Sequence, residues 1–300
     1  MPDPGESNRR NKTAMIPIRV LLLAAAALAM SACSLPQFAY QQAPNYIAGQ
    51  LDDAFDLDEV QSAALDERLQ RFFAWHREQE LHQYREVLQR AARDSSDGIR
   101  AEEFLRMHDE VRAAWRRALA KAIDSVGDLA ATLTPAQIAN FDSYFEDRSE
   151  KYHEYRAMSA QQREHYRLTR NLERLEQWLG DFDEFDRERV SERLRQLPDN
   201  YEAWLNYREA RHEALIAALH DAQRSGFDAA RLKTVLLGED TAYARAFEST
   251  RRVYWQAYAE ALEDISGLVD SRQRKHLISK LEDYARIVDD LASRQGRVDG

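Results

Sequence analysis

Between residues 46 and 293 apolar side chains recur every three or four positions. Leu65, Leu69, Phe72 and His76 form one such stripe, Ile138, Phe141 and Phe145 a second, and Leu205, Glu209, His212, Ile216 and Leu219 a third. That is the period of helices with one inward face. The pattern predicts helices near 45–54, 58–93, 100–131, 135–156, 160–180, 183–197, 199–224, 228–237, 240–266 and 271–293. The expected fold class is all-α, an elongated multi-helix bundle of about nine or ten helices.

One device marks several helix starts. Leu57-Asp58-Glu59-Val60-Gln61, Leu133-Thr134-Pro135-Ala136-Gln137, Met158-Ser159-Ala160-Gln161-Gln162 and Val269-Asp270-Ser271-Arg272-Gln273 each hold an apolar residue, a capping side chain, and Gln three residues after the cap. In this capping box the Asp, Ser or Thr oxygen accepts an otherwise unpaired amide of the first turn, and the Gln reaches back to the cap residue's N–H. Pro135 suits the first helical position. Phe182-Asp183, with Asp186, opens a weaker fifth copy. Seven residues after each cap stands a large side chain (Leu65, Phe141, Tyr166, Val190, Leu277), so each helix is expected to begin with the same face inward. Gly98, Gly180, Gly226, Gly238 and Gly267 fall where the preceding helices should stop.

Composition supports the helical reading. After Pro44 the chain has only Pro135 and Pro198, and nine glycines, too few turn residues for sandwiches, barrels or Gly-rich nucleotide folds. The 42 basic and 52 acidic residues are unevenly divided. Residues 1–32 carry four basic and two acidic side chains, which leaves 38 against 50, a net charge of −12, for the remainder. No local run of Lys and Arg interrupts this acidity, and the arginines alternate with Glu and Asp as solvated pairs, so nucleic acid is not an expected partner.

The N-terminus reads as an export signal. A basic stretch ending at Arg19 precedes the apolar run Val20 to Met30 and then Ser31, Ala32 and Cys33, the layout of a cleavable signal. Met15 is an alternative start, after which Arg19 is the one basic residue before the apolar run. Eleven apolar residues are too few for a membrane-spanning helix. Met30-Ser31-Ala32-Cys33 resembles a bacterial lipobox, with Met30 where leucine is preferred. The resemblance implies cleavage between Ala32 and Cys33, lipid on Cys33, and, with Ser34 rather than aspartate next, sorting to the outer membrane of a Gram-negative cell. Three acyl chains exceed what stable anchoring needs. Cys33 is the only cysteine, so an intramolecular disulfide and a Cys-based zinc site are excluded, and its expected lipidation leaves no free cysteine nucleophile.

The domain plan is then a signal peptide over 1–32, a lipidated cysteine and tether over 33–45, one helical domain over 46–293, and a tail over 294–300. A dozen tether residues reach at most about 40 Å. Pro198-Asp199-Asn200 is the candidate hinge within the domain.

Asp53-Ala54-Phe55-Asp56-Leu57, then Gln61, Leu65, Leu69 and Trp75-His76-Arg77-x-x-Glu80-Leu81-x-x-Tyr84, together with the Leu133 to Gln137 segment, resemble a family of proteobacterial lipoproteins known only as a domain of unknown function. The likeness runs from about Cys33 to Leu291. It implies an all-helical envelope protein and supplies no activity. His82 stands where that family's Glu-Leu-Pro run has proline, which puts a kink there in question. The Leu-Thr-x-x-Gln helix starts also resemble those of small periplasmic chaperones of the Spy and CpxP type.

Trp75, His76, Arg77, Glu80 and Tyr84 are the densest polar-aromatic group. His76 lies on the inward stripe, and Glu80, one turn on, is placed to accept its proton. This reads as a ligand-facing pair or tuned base, or else as a half-buried pair joining two helices. Two Glu-x-x-His pairs, Glu150 with His153 and Glu209 with His212, have the i,i+3 spacing of ferritin-like di-metal sites. Eight histidines among 26 glutamates in 300 residues produce nearly one such pair by chance. Tyr243, Phe247, Tyr254, Trp255, Tyr258 and Leu262 form an aromatic band that is either a groove or core.

The expected function is a non-enzymatic, protein-binding or chaperone-like role for an outer-membrane lipoprotein facing the periplasm, with envelope proteins as partners and no cofactor beyond the lipid on Cys33. Two other readings stand beside it: a metal protein or enzyme built on the Glu-x-x-His pairs, and a scaffold for one envelope complex.

Overall fold

The computed structural model describes residues 35–238 and 241–293. These form eleven α-helices and one 3₁₀ turn, with no strand among the described residues. In chain order they are α1 (Leu35–Phe55), α2 (Glu59–Gln79), α3 (Leu81–Asp94), α4 (Ala101–Val126), the 3₁₀ turn (Gly127–Thr132), α5 (Pro135–Ala157), α6 (Ala160–Leu179), α7 (Glu184–Arg195), α8 (Tyr201–Ser225), α9 (Ala229–Leu237), α10 (Ala242–Ser266) and α11 (Ser271–Ser293). The fold is an all-α multi-helix bundle. Residues 43–300 group as one compact unit, which includes Pro198–Asn200; of the other unit, residues 1–42, only the opening of α1 is described. The signal segment, Ala32 and Cys33 lie outside the described residues.

The capping boxes form at Asp58, Thr134, Ser159 and Asp270. Asp183 accepts the Asp186 amide at 2.8 Å without a reciprocal bond. Three of the four box glutamines do more than cap. Gln61, Gln137 and Gln273 are buried, whereas Gln162 is exposed. Gln61 Nε2 donates to Gln137 Oε1 at 3.2 Å, and Gln137 Nε2 donates back to Gln61 Oε1 at 2.6 Å. The same two amides donate to the carbonyls of Thr132 and Asp56, each at 2.9 Å. The starts of α2 and α5 are thereby pinned to each other. Gln273 Nε2 donates to the Asp181 carbonyl at 3.0 Å and fixes the start of α11 to the α6–α7 connection.

The largest core gathers Ala92 of α3, Leu172, Leu175 and Leu179 of α6, Val190 and Leu194 of α7, Leu262 and Ile265 of α10, and Leu277 and Leu281 of α11. The most extensive helix pairing in the chain is that of α11 along α3. A second core joins the 3₁₀ turn and α5 to α8 through Leu133, Ile138 and Leu219, with Phe55 stacked on Phe141 at 4.6 Å. A third packs Ile123 of α4 and Ala218 of α8 against Leu232 and Val235 of α9. There Gly127 is required, because a Cβ would meet the Phe227 ring at 2.7 Å.

Four expectations are corrected. The helix expected at 45–54 starts at Leu35 and carries Pro44 in its interior, so residues 35–45 are helix rather than an extended tether. The single helix expected over 58–93 is broken at Glu80, with no proline, and the break brings both Glu80 and Leu81 inside. The helix expected to run to 131 tightens into the 3₁₀ turn at Gly127. Leu65, Val190 and Leu277 are buried as the cap rule implies, but Tyr166 is exposed, because the inward stripe of α6 runs through Leu168, Leu172, Leu175 and Leu179. This is the helix whose box glutamine is also exposed.

Gln61→Ala and Gln137→Ala should each lower the unfolding free energy by about 1–3 kcal/mol, since each strands buried hydrogen-bonding groups as well as losing a cap contact. The double variant should lose less than the sum, and Gln162→Ala less than about 1 kcal/mol. Urea unfolding measures all four, and an equal cost at Gln162 would contradict the tertiary role of the buried pair.

Candidate functional site

The Trp75 to Tyr84 group sits at the junction of α2 and α3. Its expected pairing is not the one formed. The Glu80 carboxylate is taken by Arg117 of α4, with Nε to Oε1 at 3.1 Å and Nη2 to Oε2 at 2.9 Å, and Arg117 also donates to Gln83. His76 Nε2 instead shares a hydrogen bond of 3.0 Å with the Tyr84 hydroxyl. Trp75 packs beside Phe72 and His76, under the Lys121 ammonium. Arg77, on the same turn, is half-buried. The group therefore joins α2, α3 and α4, but through Arg117–Glu80 and His76–Tyr84 rather than through a His76–Glu80 pair. A bidentate pair that is buried at its carboxylate end ties the junction of α2 and α3 to α4.

The two Glu-x-x-His pairs do not converge. Glu150 and His153 are exposed on α5. Glu209 accepts from Arg156 at 3.3 Å, and buried His212 places Nε2 2.7 Å from Asp142 Oδ1 with its ring stacked on Phe145 at 3.5 Å. Among the described residues no three or more His, Cys, Asp or Glu side chains are grouped to hold a metal ion.

The aromatic band of α10 is half-buried apart from the buried Leu262, and its rings pack against neighbouring helices. Tyr243 and Phe247 pack on Tyr207 of α8, and Trp255 and Tyr258 on Phe104 of α4. Burial raises the Tyr254 hydroxyl and pushes that of Tyr258 up to about 12.

A feature that the linear sequence conceals lies between α4, α8, α9 and α10. A cavity of about 350 Å³ opens there, and five arginines line it: Arg112 and Arg116 from α4, Arg211 from α8, and Arg245 and Arg251 from α10. The arginines are dispersed along the chain, one to two turns apart on a helix or on different helices, so the group they form in space is not visible as a run of basic residues in the sequence. Glu248 receives both Arg251, at 2.5 Å, and Arg112, at 3.1 Å. Hydrogen bonding to Arg251 comes first among the causes that hold its carboxyl down at about 2, against the opposing effect of burial. Arg116 donates to the Leu237 carbonyl at the end of α9. Gly238 ends that helix at φ +66°, where a Cβ would meet the Tyr207 hydroxyl at 2.7 Å. Trp115, Tyr207, Phe247, Leu119 and Leu236 supply apolar walls.

The family model of DUF6279, described as a family of unknown function, matches residues 53–247. The chain belongs to DUF6279. The match runs from the end of α1 into α10 and contains both the Trp-His-Arg-x-x-Glu-Leu and Leu-Thr-Pro-x-Gln segments, a narrower span than Cys33 to Leu291. No curated protein and no solved structure matches the chain. In this DUF6279 protein the junction at Glu80 and the Gln61–Gln137 pair fall inside the matched region, as does most of the arginine-lined cavity.

Two predictions follow from the electrostatics of this DUF6279 chain. Arg117→Ala leaves the Glu80 carboxylate buried without its cation and should cost about 3 kcal/mol or more, well above the cost of the exposed-pair variant Arg71→Ala; similar unfolding midpoints for the two would refute the role given to this pair. Burial also lowers the imidazoles of His76 and His108 below the ordinary 6.5, against the raising effects of Glu80 on the first and Asp109 on the second. The unfolded chain then takes up these protons first on acidification. The associated stability is complete above pH 6.5 and declines as the pH falls through the lowered folded-state values. His76→Gln and His108→Gln should flatten the stability profile on the acid side of 6.5, as read by thermal unfolding across pH.

Proposed function

We propose that this DUF6279 protein is a lipid-anchored envelope protein, held at the outer membrane through Cys33 and facing the periplasm, whose helical body acts by binding other envelope proteins rather than by catalysis. The anchor rests on the Met30-Ser31-Ala32-Cys33 sequence and the apolar run before it. No helix of the described residues is long and apolar enough to cross a membrane, so attachment through those residues alone has no spanning segment to use.

The observation that carries the binding role is where the reactive side chains point. Glu80 is held by Arg117, His76 by Tyr84, His212 by Asp142 and Glu209 by Arg156, each contact tying one helix to another. Groups fixed this way stabilise the bundle and are poorly placed to exchange protons with a substrate. The surface meanwhile exposes large apolar side chains, among them Phe185 at 72% and Trp115 at 66%, and a Trp178–Tyr284 ring pair. Side chains of this type are the usual anchors of protein contacts.

Cys33→Ser should move the protein from the membrane to the soluble envelope fraction; unchanged fractionation would refute the anchor. The intact lipidated protein should slow aggregation of an unfolded outer-membrane protein diluted from urea, read by light scattering, or retain a defined envelope partner on crosslinking from Trp115 and Phe185. Failure of both would refute the binding role.

A further inference from the structure

We propose that the cavity between α4, α8, α9 and α10 binds a small organic oxyanion, a carboxylate or phosphate bearing a flat apolar substituent. This site shares Trp115 with the exposed surface above, and its test does not depend on the protein-binding role.

The charge arithmetic at the cavity wall favours an anion. Arg112 and Arg251 share one carboxylate, Glu248, which leaves that trio with one excess positive charge. Arg211 adds another. Its guanidinium lies over the Tyr207 ring, 5.4 Å from the centroid, and makes no hydrogen bond or ion pair with a described residue. A guanidinium held over a ring by cation–π attraction keeps N–H donors available for a planar or tetrahedral oxyanion, the groups arginine recognises in carboxylate and phosphate. Arg116 and Arg245 have partners of their own and are not part of this count. Glu239 and Asp240 follow Gly238 in the sequence and lie outside the described residues.

The walls select for more than charge. Tyr207 and Phe247 are stacked at 4.9 Å, and Trp115 stands at the lip with 66% of its surface exposed although it lies in a helix flanked by core. A flat apolar group seated beside the acid would cover Trp115 and contact Phe247. The volume of about 350 Å³ lies in the range of small-ligand sites, roughly 300–1,000 Å³. An overall acidic protein repels free anions at long range, so a site of this kind works through short-range contacts and discriminates by shape.

The test is calorimetric titration of the full lipidated chain in zwitterionic nanodiscs with phenyl phosphate and phenylacetate. Inorganic phosphate serves as the charge without the ring and benzyl alcohol as the ring without the charge. At least one of the two phenyl anions should bind saturably and more tightly than either control, more weakly as salt is raised, and the better of the two identifies the acid group. Arg211→Gln should weaken binding about tenfold, Arg211→Lys should retain part of it, and Trp115→Ala should narrow the preference over inorganic phosphate. Absence of saturable binding would overturn the proposal, as would equal binding of benzyl alcohol, or an unchanged affinity in a folded Arg211→Gln variant.

Discussion

Buried amides at helix starts set the architecture. An unpaired amide in an apolar interior costs several kcal/mol, so a glutamine side chain can be enclosed only where both its ends are satisfied. Gln61 and Gln137 meet that condition through each other. Each uses its oxygen to cap its own helix and its nitrogen to reach the partner amide and a distant backbone carbonyl. Neither cap can be completed in a buried position unless the other helix has arrived. The entry of α2 and the entry of α5 are thus one structural event, and the positions of the 3₁₀ turn and of α8 above it follow, with Gln223 donating to the Leu133 carbonyl at the same junction.

Much of this fold was legible in the sequence because its signals are local. The boxes at Asp58, Thr134, Ser159 and Asp270 depend on four consecutive residues and appear as read. Helix ends at Gly180, Gly226 and Gly238 require only a residue that tolerates positive φ. The break at Glu80 was not legible, since what ties it to α4 is Arg117, thirty-seven positions away. The helical path of residues 35–45 was hidden by Pro44, which reads as a breaker yet is accommodated inside α1.

The candidate site shows the same division more sharply. Spacing along a helix placed His76 and His212 on inward faces, and both are turned inward. Spacing could not say which partner each would meet, and the acids that spacing set beside them, Glu80 and Glu209, are bound to arginines instead. The arginine-lined cavity was the least legible feature, because its members come from three helices and each, taken alone, looks like one half of an ordinary surface ion pair. A chain with 36 arginines offers many such halves; only packing decides which of them face one another.

The pairing of α11 with α3 has a consequence for how the molecule is made. α11 is synthesised long after α3 and closes its core, so Ala92 and its neighbours stay uncovered until α11 has been delivered. A chain that emerges from its N-terminus therefore passes through a long stage in which the central helices exist but the largest core is open along one side. A truncation that removes residues 271–300 leaves α3 without the helix it packs along most extensively. Quality control in the cell would see such a product as unfinished, although its other helices are intact.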